Sequence, residues 1–151
     1  MTYCTFESPI GTLYIGEEKG YIVYLSKIEP QNAQKGMSIL LLTATSMLRE
    51  YFAGKRKDFP LPLKAEGTEF QQSVWRALLK IPYGETRSYK QVAEMAGNEK
   101  ACRAVGMANH NNPIMILIPC HRVIGSDGSM TGFGTGISDK EYLLKLESEH
   151  K

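Results

Sequence analysis

The chain has 151 residues, of which 42% are hydrophobic and 23% are charged; these proportions are typical of a folded globular protein and exclude a disordered one. The length allows one domain of ordinary size or two small ones that share an interface. The net charge is only +2, so the overall charge gives no indication of a polyanionic partner.

The cysteines and the apolar runs limit the class of protein further. Cys4, Cys102 and Cys120 cannot all pair with one another, and none has a short metal-binding spacing to another cysteine or histidine. We therefore expect no disulfide framework, no metal site and no cofactor. The first residues lack the basic and apolar regions of a signal peptide, and threonine and serine interrupt the most apolar run, Ser38 to Leu48. These features predict a cytoplasmic protein that does not enter a membrane.

The N-terminal part shows β-type patterns followed by a helical one. Met1 to Lys27 contains the segments YCTFES, TLYIGEE and YIVYLSK, which are separated by glycine-containing turn signals and indicate an antiparallel meander. Between Ser38 and Phe52 apolar residues are spaced as on one face of a helix, and Gly54 can end that helix. The proline-bearing segment Asp58 to Leu63 is the best candidate for a domain boundary.

The remaining chain is predicted to be mainly helical. Three signatures of the Ser/Thr-x-x-Glu/Gln kind mark helix starts, because each side chain can satisfy a free backbone N–H there; they are Thr68 with Gln71, Ser88 with Gln91, and Ser138 with Glu141. Another short helix fits between about Lys100 and Asn109. The apolar, β-branched run Ile114 to Ile118 is predicted to be a buried strand that Pro119 ends.

Two short helices in this part are spaced like a DNA-binding motif. YKQVAEMA and KACRAVGMAN are joined by a few residues that include Gly97, as in a helix-turn-helix, whose second helix is the one offered to DNA. Between Phe70 and Arg122 there are seven basic and three acidic residues. A basic surface would suit a nucleic acid, and tight packing with a solvated helix face explains the same features.

Cys120 and His121 are neighbours in the stretch ILIPCHRVIG. Neighbouring residues on a strand point to opposite faces, so the two side chains can share one site only if the backbone leaves β geometry after Pro119. A cysteine thiol with its ordinary pKa of about 8.5 needs a base or a cation nearby to act as a nucleophile at neutral pH. His121 and Arg122 are candidates for that help, and an inert core cysteine is the alternative.

The strings NPIMILIPCHRVIGSDG and GETRSYKQVAEMAGNEKACRAVGMANHNNP resemble the active-site core of the O6-alkylguanine-DNA alkyltransferases, the methylated-DNA–protein-cysteine methyltransferases. The first residues, FESPIGTLYIGEEKGYIVYLS, resemble the family's N-terminal domain more loosely, so the resemblance covers nearly the whole chain. It implies an α/β domain over residues 1–64, with a ribonuclease H-like antiparallel sheet plus helix. A mainly helical winged helix-turn-helix domain for DNA binding and alkyl transfer would then span residues 65–151.

The resemblance implies DNA repair by direct reversal of damage. The alkyl group of O6-alkylguanine would pass irreversibly to Cys120 in a single turnover, after the base has flipped out of the duplex, and activity on O4-alkylthymine stays open. His121 would be the base, acting through a water, and Glu147 would orient it. The partner would be double-stranded DNA, which a monomer approaches from the minor groove.

The resemblance also implies roles for residues around the base. Tyr89 would donate to the guanine ring, and the backbone carbonyl of Val123 would accept from its amine. Phe133 would form a wall of the pocket where a tyrosine is frequent in the family, and Gly134 would offer its N–H to O6. Asn112 would brace the turn that leads to the reactive segment.

On the second helix of the motif, Arg103 would fill the space left by the flipped base, while Ala101, Ala104 and Gly106 would let the helix approach the DNA closely. The residues themselves leave simpler readings open: Glu147 as a surface acid, Tyr89 as a packing aromatic and Arg103 as a solvated or phosphate-contacting arginine. Two other functions also remain open, a Cys-His hydrolase that turns over repeatedly and a DNA-lesion sensor that binds without transfer.

Overall fold

The fold was obtained as a computed structural model, which describes residues 1–130 and 136–151. Its N-terminal part is built on a four-stranded sheet in which β1 (Thr2–Ser8), β2 (Gly11–Glu18) and β3 (Tyr21–Ser26) form an antiparallel meander. This part of the prediction is confirmed. The two-residue strand β4 (Gln34–Lys35) pairs in parallel with β1 and gives the order β3-β2-β1-β4. A strand of two residues has no alternating pattern that a sequence could show.

Helix α1 (Ile39–Phe52) packs against β1 and β2, as its apolar spacing predicts. One of the free N–H groups in its first turn is satisfied by Ser38, whose side chain accepts a hydrogen bond from the backbone N–H of Leu41. Gly54, at φ +74°, ends the helix in the left-handed region that favours glycine. The buried residues of this helix are Leu41, Ala44, Thr45, Leu48 and Tyr51.

The second part is mainly helical, as predicted. Helices α2 (Glu69–Leu78), α3 (Tyr89–Met95) and α4 (Cys102–His110) pack on one another. The capping boxes at Thr68 and Ser88 are both present, each with its glutamine three residues later. Helices α3 and α4 form the predicted helix-turn-helix corner.

Two short strands, β5 (Arg87–Ser88) and β6 (Val123–Ile124), pair in parallel, and the chain ends in helix α5 (Ile137–Glu149). The predicted helix start at Ser138 is wrong. The N-cap is Gly136, at φ +114°, and no side chain of a described residue caps this helix start. Because the backbone enters the helix before Ser138, that residue lies within the first turn and not at the cap.

The run 114–118 is buried, but the predicted strand is wrong. Ile114 makes an isolated parallel bridge with Leu25, and the chain then turns on itself, with the N–H of Ile118 donating to the carbonyl of Ile114 at 3.0 Å. Ile116 takes φ +70° within this turn. Since every side chain of the run is buried, its pattern cannot distinguish a strand from a buried turn.

One continuous hydrophobic core joins the two parts of the chain. Backbone bonds reinforce it where β3 meets the second part: Leu25 donates to the carbonyl of Pro113 at 2.9 Å and accepts from Met115 at 3.0 Å. The boundary at residue 64 therefore stays a prediction. Within residues 1–130 and 136–151, every helix is too short or too polar to cross a lipid bilayer.

Candidate active site

Cys120, His121 and Arg122 form a single 3-10 turn directly after Pro119. The departure from β geometry that would let Cys120 and His121 share one site is therefore present. All three side chains are buried, and His121 is 0% exposed. Two of them are strongly polar, so the surrounding core has to supply their hydrogen-bonding partners.

Those partners converge on Glu147 of α5, which is only 1% exposed. The Nε2 atom of His121 lies 2.6 Å from Oε2 of the carboxylate. The Nε atom of Arg122 donates to Oε1 at 2.8 Å, and its Nη2 atom donates to Oε2 at 3.1 Å. The Tyr51 hydroxyl donates to Oε2 at 2.6 Å, and the backbone N–H of Gly84 donates to Oε1 at 3.2 Å. We call these five residues the Glu147 centre.

The Glu147 centre holds its carboxylate in the charged form. Burial by itself would raise the pKa of Glu147, but the hydrogen bonds from His121 and Arg122, together with the positive charge of Arg122, lower that pKa well below its usual range. An ionised carboxylate can only accept hydrogen bonds, so the Nε2 atom of His121 carries the proton that the two share. The interpretation of Glu147 as a surface acid is wrong.

This arrangement fixes which nitrogen of His121 can act as a base. With the proton on Nε2, the Nδ1 atom keeps its lone pair, and it is buried without a hydrogen-bonding partner among the described residues. Burial lowers the pKa of His121, although the bond to Glu147 opposes that effect. The imidazole is therefore neutral near pH 7, with a free lone pair at Nδ1.

Cys120 is a protonated thiol at rest. Burial raises its pKa to about 11, while a hydrogen bond from the Asn112 side chain and the charge of Lys140 act in the opposite direction. On the order of one thiol in 10⁴ is thus ionised at pH 7. Arg122, a sequence candidate for activating the thiol, is committed to Glu147 and to the carbonyl of Ile81.

Lys140 lies beside Tyr89, and its charge acts on the Cys120 thiol. Lys140 lies in the first turns of α5 and is completely buried, an unusual position for a lysine. Its Nζ atom lies 5.9 Å from the centre of the Tyr89 ring, a cation–π distance. The pattern of α5 gave no sign that this lysine is buried, and the sequence analysis missed it.

Asn112 and Asn109 hold the backbone around the cysteine. The Nδ2 atom of Asn112 donates to the carbonyl of Ile118 at 2.8 Å, and its Oδ1 atom accepts from the N–H of Ile114 at 3.0 Å. Asn112 thus braces the turn before the cysteine, the position that the resemblance implies for it. Asn109 on α4 donates to the carbonyl of Cys120 at 3.2 Å. Sequence reasoning missed Asn109, and the only signal was a polar residue on the buried face of α4.

A cavity of about 300 Å³ opens beside the thiol. Its lining comes from both parts of the chain and includes Tyr24, Leu25, Asn109, Asn112, Met115 and Cys120. Cys120 therefore borders a space large enough for a small group. The predicted pocket residues Phe133 and Gly134 lie outside the described residues.

The outer face of α4 differs sharply from this interior. Arg103 and Ala104 are exposed, and Arg103 forms no ion pair with any described residue. Ala101 and Gly106 are partly buried, and a side chain at Gly106 would come within 4.0 Å of Tyr89.

Val123, the remaining predicted residue, is buried, and its N–H donates to the carbonyl of Cys120. Cys102 at the start of α4 packs partly against the core, as a small filler would.

The described residues contain no group of three histidine, cysteine, aspartate or glutamate side chains placed to hold a metal ion. The cysteines among them are free thiols. The site therefore consists of a thiol, a neutral imidazole, an ionised carboxylate and a buried lysine. This set can transfer a proton from sulfur to nitrogen while the sulfur forms a new bond.

Comparison with known proteins matches both parts of the chain to one family. The model of the 6-O-methylguanine DNA methyltransferase ribonuclease-like domain covers residues 1–65, and the model of its DNA binding domain covers residues 69–149. Similar proteins include the methylated-DNA–protein-cysteine methyltransferase of Methanosarcina acetivorans, 50% identical, with 97% of this chain and 98% of that protein covered. The constitutive enzyme of that name from Bacillus subtilis is 46% identical, with 96% and 94% covered.

A solved structure agrees with these sequence matches. The crystal structure of Mycobacterium tuberculosis OGT in complex with DNA is similar with a TM-score of 0.94 and 44% identity, over 99% of this chain and 94% of that one. The predicted fold class, an α/β domain followed by a helical DNA-binding domain, is confirmed. The chain belongs to the 6-O-methylguanine DNA methyltransferase family.

Proposed function

We propose that this protein repairs DNA by transferring the alkyl group of O6-alkylguanine from duplex DNA to its own Cys120, once per molecule. The observation that carries the proposal is the buried turn in which Cys120 is followed by a neutral His121 that Glu147 holds in place. Relatives along the full chain are named methylated-DNA–protein-cysteine methyltransferases. The similar M. tuberculosis protein was solved with DNA, which supports DNA as the partner here.

The transfer step balances with the groups of the site. The sulfur of Cys120 attacks the alkyl carbon, so a carbon–sulfur bond forms while the bond between that carbon and O6 breaks. The thiol proton passes to Nδ1 of His121 through a water. The electron pair of the broken bond stays on guanine, toward which Tyr89 donates a hydrogen bond. The product is a thioether, which offers no carbonyl for water to attack, so the protein is consumed.

The electrostatics of the site suit a reaction of this kind. A thiol with a pKa of about 11 is protected from other electrophiles at rest. During attack, negative charge develops on the sulfur, and the Asn112 hydrogen bond and the Lys140 charge both favour the ionised form. His121 receives the proton and becomes an imidazolium, which the ionised Glu147 stabilises at 2.6 Å.

The outer face of α4 is the surface that we assign to DNA. Arg103 and Ala104 are exposed, Arg103 forms no ion pair with any described residue, and Ala101 and Gly106 are partly buried positions with small side chains. Flipping a base costs a few kcal/mol, least where damage has already weakened the pair, so the DNA contributes to lesion selection. An approach from the minor groove suits a protein that inspects any sequence, because that groove carries little base-specific information.

We propose that a monomer carries out this repair in the cytoplasm, on the chromosome where that lies in the same compartment. A single molecule contains the nucleophile, the base and the acid, as well as the DNA-facing helix. The reaction also needs Cys120 as a free thiol, which a reducing compartment maintains.

The test is to incubate the protein with a duplex that contains one O6-methylguanine and to map the methylated peptide by mass spectrometry. We expect one added methyl group on the peptide of Cys120, with a plateau at one equivalent per protein. Cys102→Ala is the matched control that keeps transfer, and Cys120→Ala should bind the duplex without any methyl uptake. Repeated turnover would point to a hydrolase, and bound DNA with its lesion intact would point to a sensor.

A further inference from the structure

We propose that Tyr51, from the N-terminal part of the chain, is a positioning residue of the proton relay, because its hydroxyl shares a carboxylate oxygen of Glu147 with His121. The inference rests on the proposed function and concerns how the relay is set. It gives helix α1 a direct role in the chemistry, beyond packing on the sheet.

Tyr51 and His121 bind the same carboxylate oxygen of Glu147. Tyr51 is 0% exposed, and its hydroxyl donates to Oε2 of Glu147 at 2.6 Å, across 96 positions of the chain. The same Oε2 atom lies 2.6 Å from Nε2 of His121. The two donors therefore share one oxygen atom. A change in one of the hydrogen bonds alters the negative charge on Oε2 with which the other donor interacts.

Aromatic rings hold the Tyr51 hydroxyl in place. The Tyr51 ring meets Phe52 edge-on, with ring centres 5.3 Å apart, and Tyr83 edge-on at 6.2 Å. A third ring, Phe59, lies 5.4 Å away at a tilt. Burial, and after it the charge of Glu147, raises the pKa of Tyr51 well above its usual value. The hydroxyl thus remains a protonated donor with little freedom to turn away.

The hydrogen bond from Tyr51 should also lower the pKa of His121. A hydrogen bond from Tyr51 takes up part of the negative charge on Oε2, so the carboxylate holds the imidazolium less tightly than it otherwise would. Without the hydroxyl, His121 would bind its proton more strongly and its pKa would rise. More of the protein would then carry a protonated His121 at acidic pH, where it cannot accept the thiol proton.

Tyr51→Phe leaves the other charged and titratable groups around His121 unchanged in sequence. Lys140 on α5 and Arg122 on the same turn both lower the pKa of His121. Cys120 precedes it on the turn, and Tyr83 faces Glu147 from the segment after α2. A change confined to the Tyr51 oxygen therefore tests one hydrogen bond against a constant background.

The chain offers a matched control. Tyr83 also has a buried hydroxyl, which lies in the same cluster but has no hydrogen-bonding partner among the described residues. Tyr51→Phe and Tyr83→Phe each remove one buried oxygen and keep the ring. Only the first removes a donor to Glu147.

The experiment measures the second-order rate of methyl transfer from an O6-methylguanine duplex as a function of pH, for the wild-type protein and both variants. The acidic limb of this profile reports protonation of the base in the free protein. Tyr51→Phe should move that limb to higher pH by about half a unit, so that the rate on the limb falls about three-fold relative to its plateau. Tyr83→Phe should leave the limb in place.

A coincident limb for wild type and Tyr51→Phe would overturn the inference and leave the proposed function intact. Absence of transfer in the wild-type protein would instead contradict the proposed function, and NMR titration of His121 then tests the hydrogen bond by itself. Its pKa should be higher in Tyr51→Phe than in wild type, and an equal pKa overturns the inference. If Tyr51→Phe fails to fold, 3-fluorotyrosine at position 51 gives a more acidic hydroxyl, a stronger donor, and should move the limb to lower pH.

Discussion

The Glu147 centre and the outer face of α4 are built in opposite ways. Glu147 is buried, and each of its carboxylate oxygens accepts at least two hydrogen bonds. Arg103 is exposed and forms no ion pair with the part of the chain that the structure describes. Buried charges are costly unless they are paired in advance, whereas a surface arginine has to stay available for a partner. Under the proposed function, the reacting groups are in place before DNA binds, and the arginine that we assign to DNA has no ion pair among the described residues.

The largest effect should follow from removing the carboxylate of the Glu147 centre. Glu147→Ala leaves Arg122 buried without its anion and His121 without its acceptor, which should lower the free energy of unfolding by about 3–5 kcal/mol and abolish transfer. Urea unfolding measures the first and methyl uptake the second. Glu149→Ala, an exposed acid on the same helix, should change stability by less than about 0.5 kcal/mol. Equal losses of unfolding free energy in both variants would contradict a stabilising role of the Glu147 centre.

Acid should reproduce part of that loss. The pKa of Glu147 in the folded protein is lowered, so its stabilisation is present above the ordinary pKa of 4.5 and is lost as the pH falls below that value. The pKa of His121 is also lowered from 6.5, so stability begins to fall below that pH as the unfolded chain takes up a proton first. We expect the free energy of unfolding to fall first below pH 6.5 and further below pH 4.5, as measured by urea unfolding at a series of pH values. Glu147→Gln should remove the part below pH 4.5; an unchanged slope there would contradict the account.

The brace before the cysteine should matter less. Asn112→Ala removes two hydrogen bonds to the backbone of the buried turn 114–118 and should cost about 2 kcal/mol of unfolding free energy. It should also slow transfer, since the turn places Cys120. Asn111→Ala is the matched neighbour, because its side chain is exposed. A loss of similar size at both positions would argue against the brace.

The smallest effect on stability is expected on α4. Arg103→Ala should change the unfolding free energy by less than about 0.5 kcal/mol, because the side chain is exposed. Its affinity for duplex DNA should nevertheless fall, as measured by fluorescence anisotropy. Arg76→Ala, an exposed arginine on α2, is the control. Equal DNA affinities for the two variants would remove Arg103 from the recognition surface.

Local patterns predicted most of the fold. The meander, helix α1 and the capping boxes at Thr68 and Ser88 depend on residues close together in sequence, and each was found where its signature stands. The strand predicted for residues 114–118 is wrong, because every side chain of the run is buried and the alternation that identifies a strand is missing. The predicted cap at Ser138 is wrong because α5 begins at Ile137, with Gly136 as its N-cap, so Ser138 already lies in the first turn.

The candidate site divides along the same line. Cys120 and His121 are adjacent in a specific motif, so the sequence indicates them directly. Glu147 was assigned only by resemblance, and its burial follows from contacts that the pattern of α5 does not show. Tyr51 could not be predicted, because its hydrogen bond to Glu147 joins residues 96 positions apart. The roles of these residues stay predictions until the variants are measured.

The central claim is that chemistry and DNA recognition belong to separate regions, and one ratio tests it most directly. For each protein, the transfer rate from an O6-methylguanine duplex is divided by the rate with free O6-benzylguanine, which needs no base flipping. Arg103→Ala should lower this ratio by about ten-fold or more, since flipping is worth a few kcal/mol. Glu147→Gln should slow both reactions and leave the ratio near the wild-type value. A ratio that falls equally in both variants would contradict the separation.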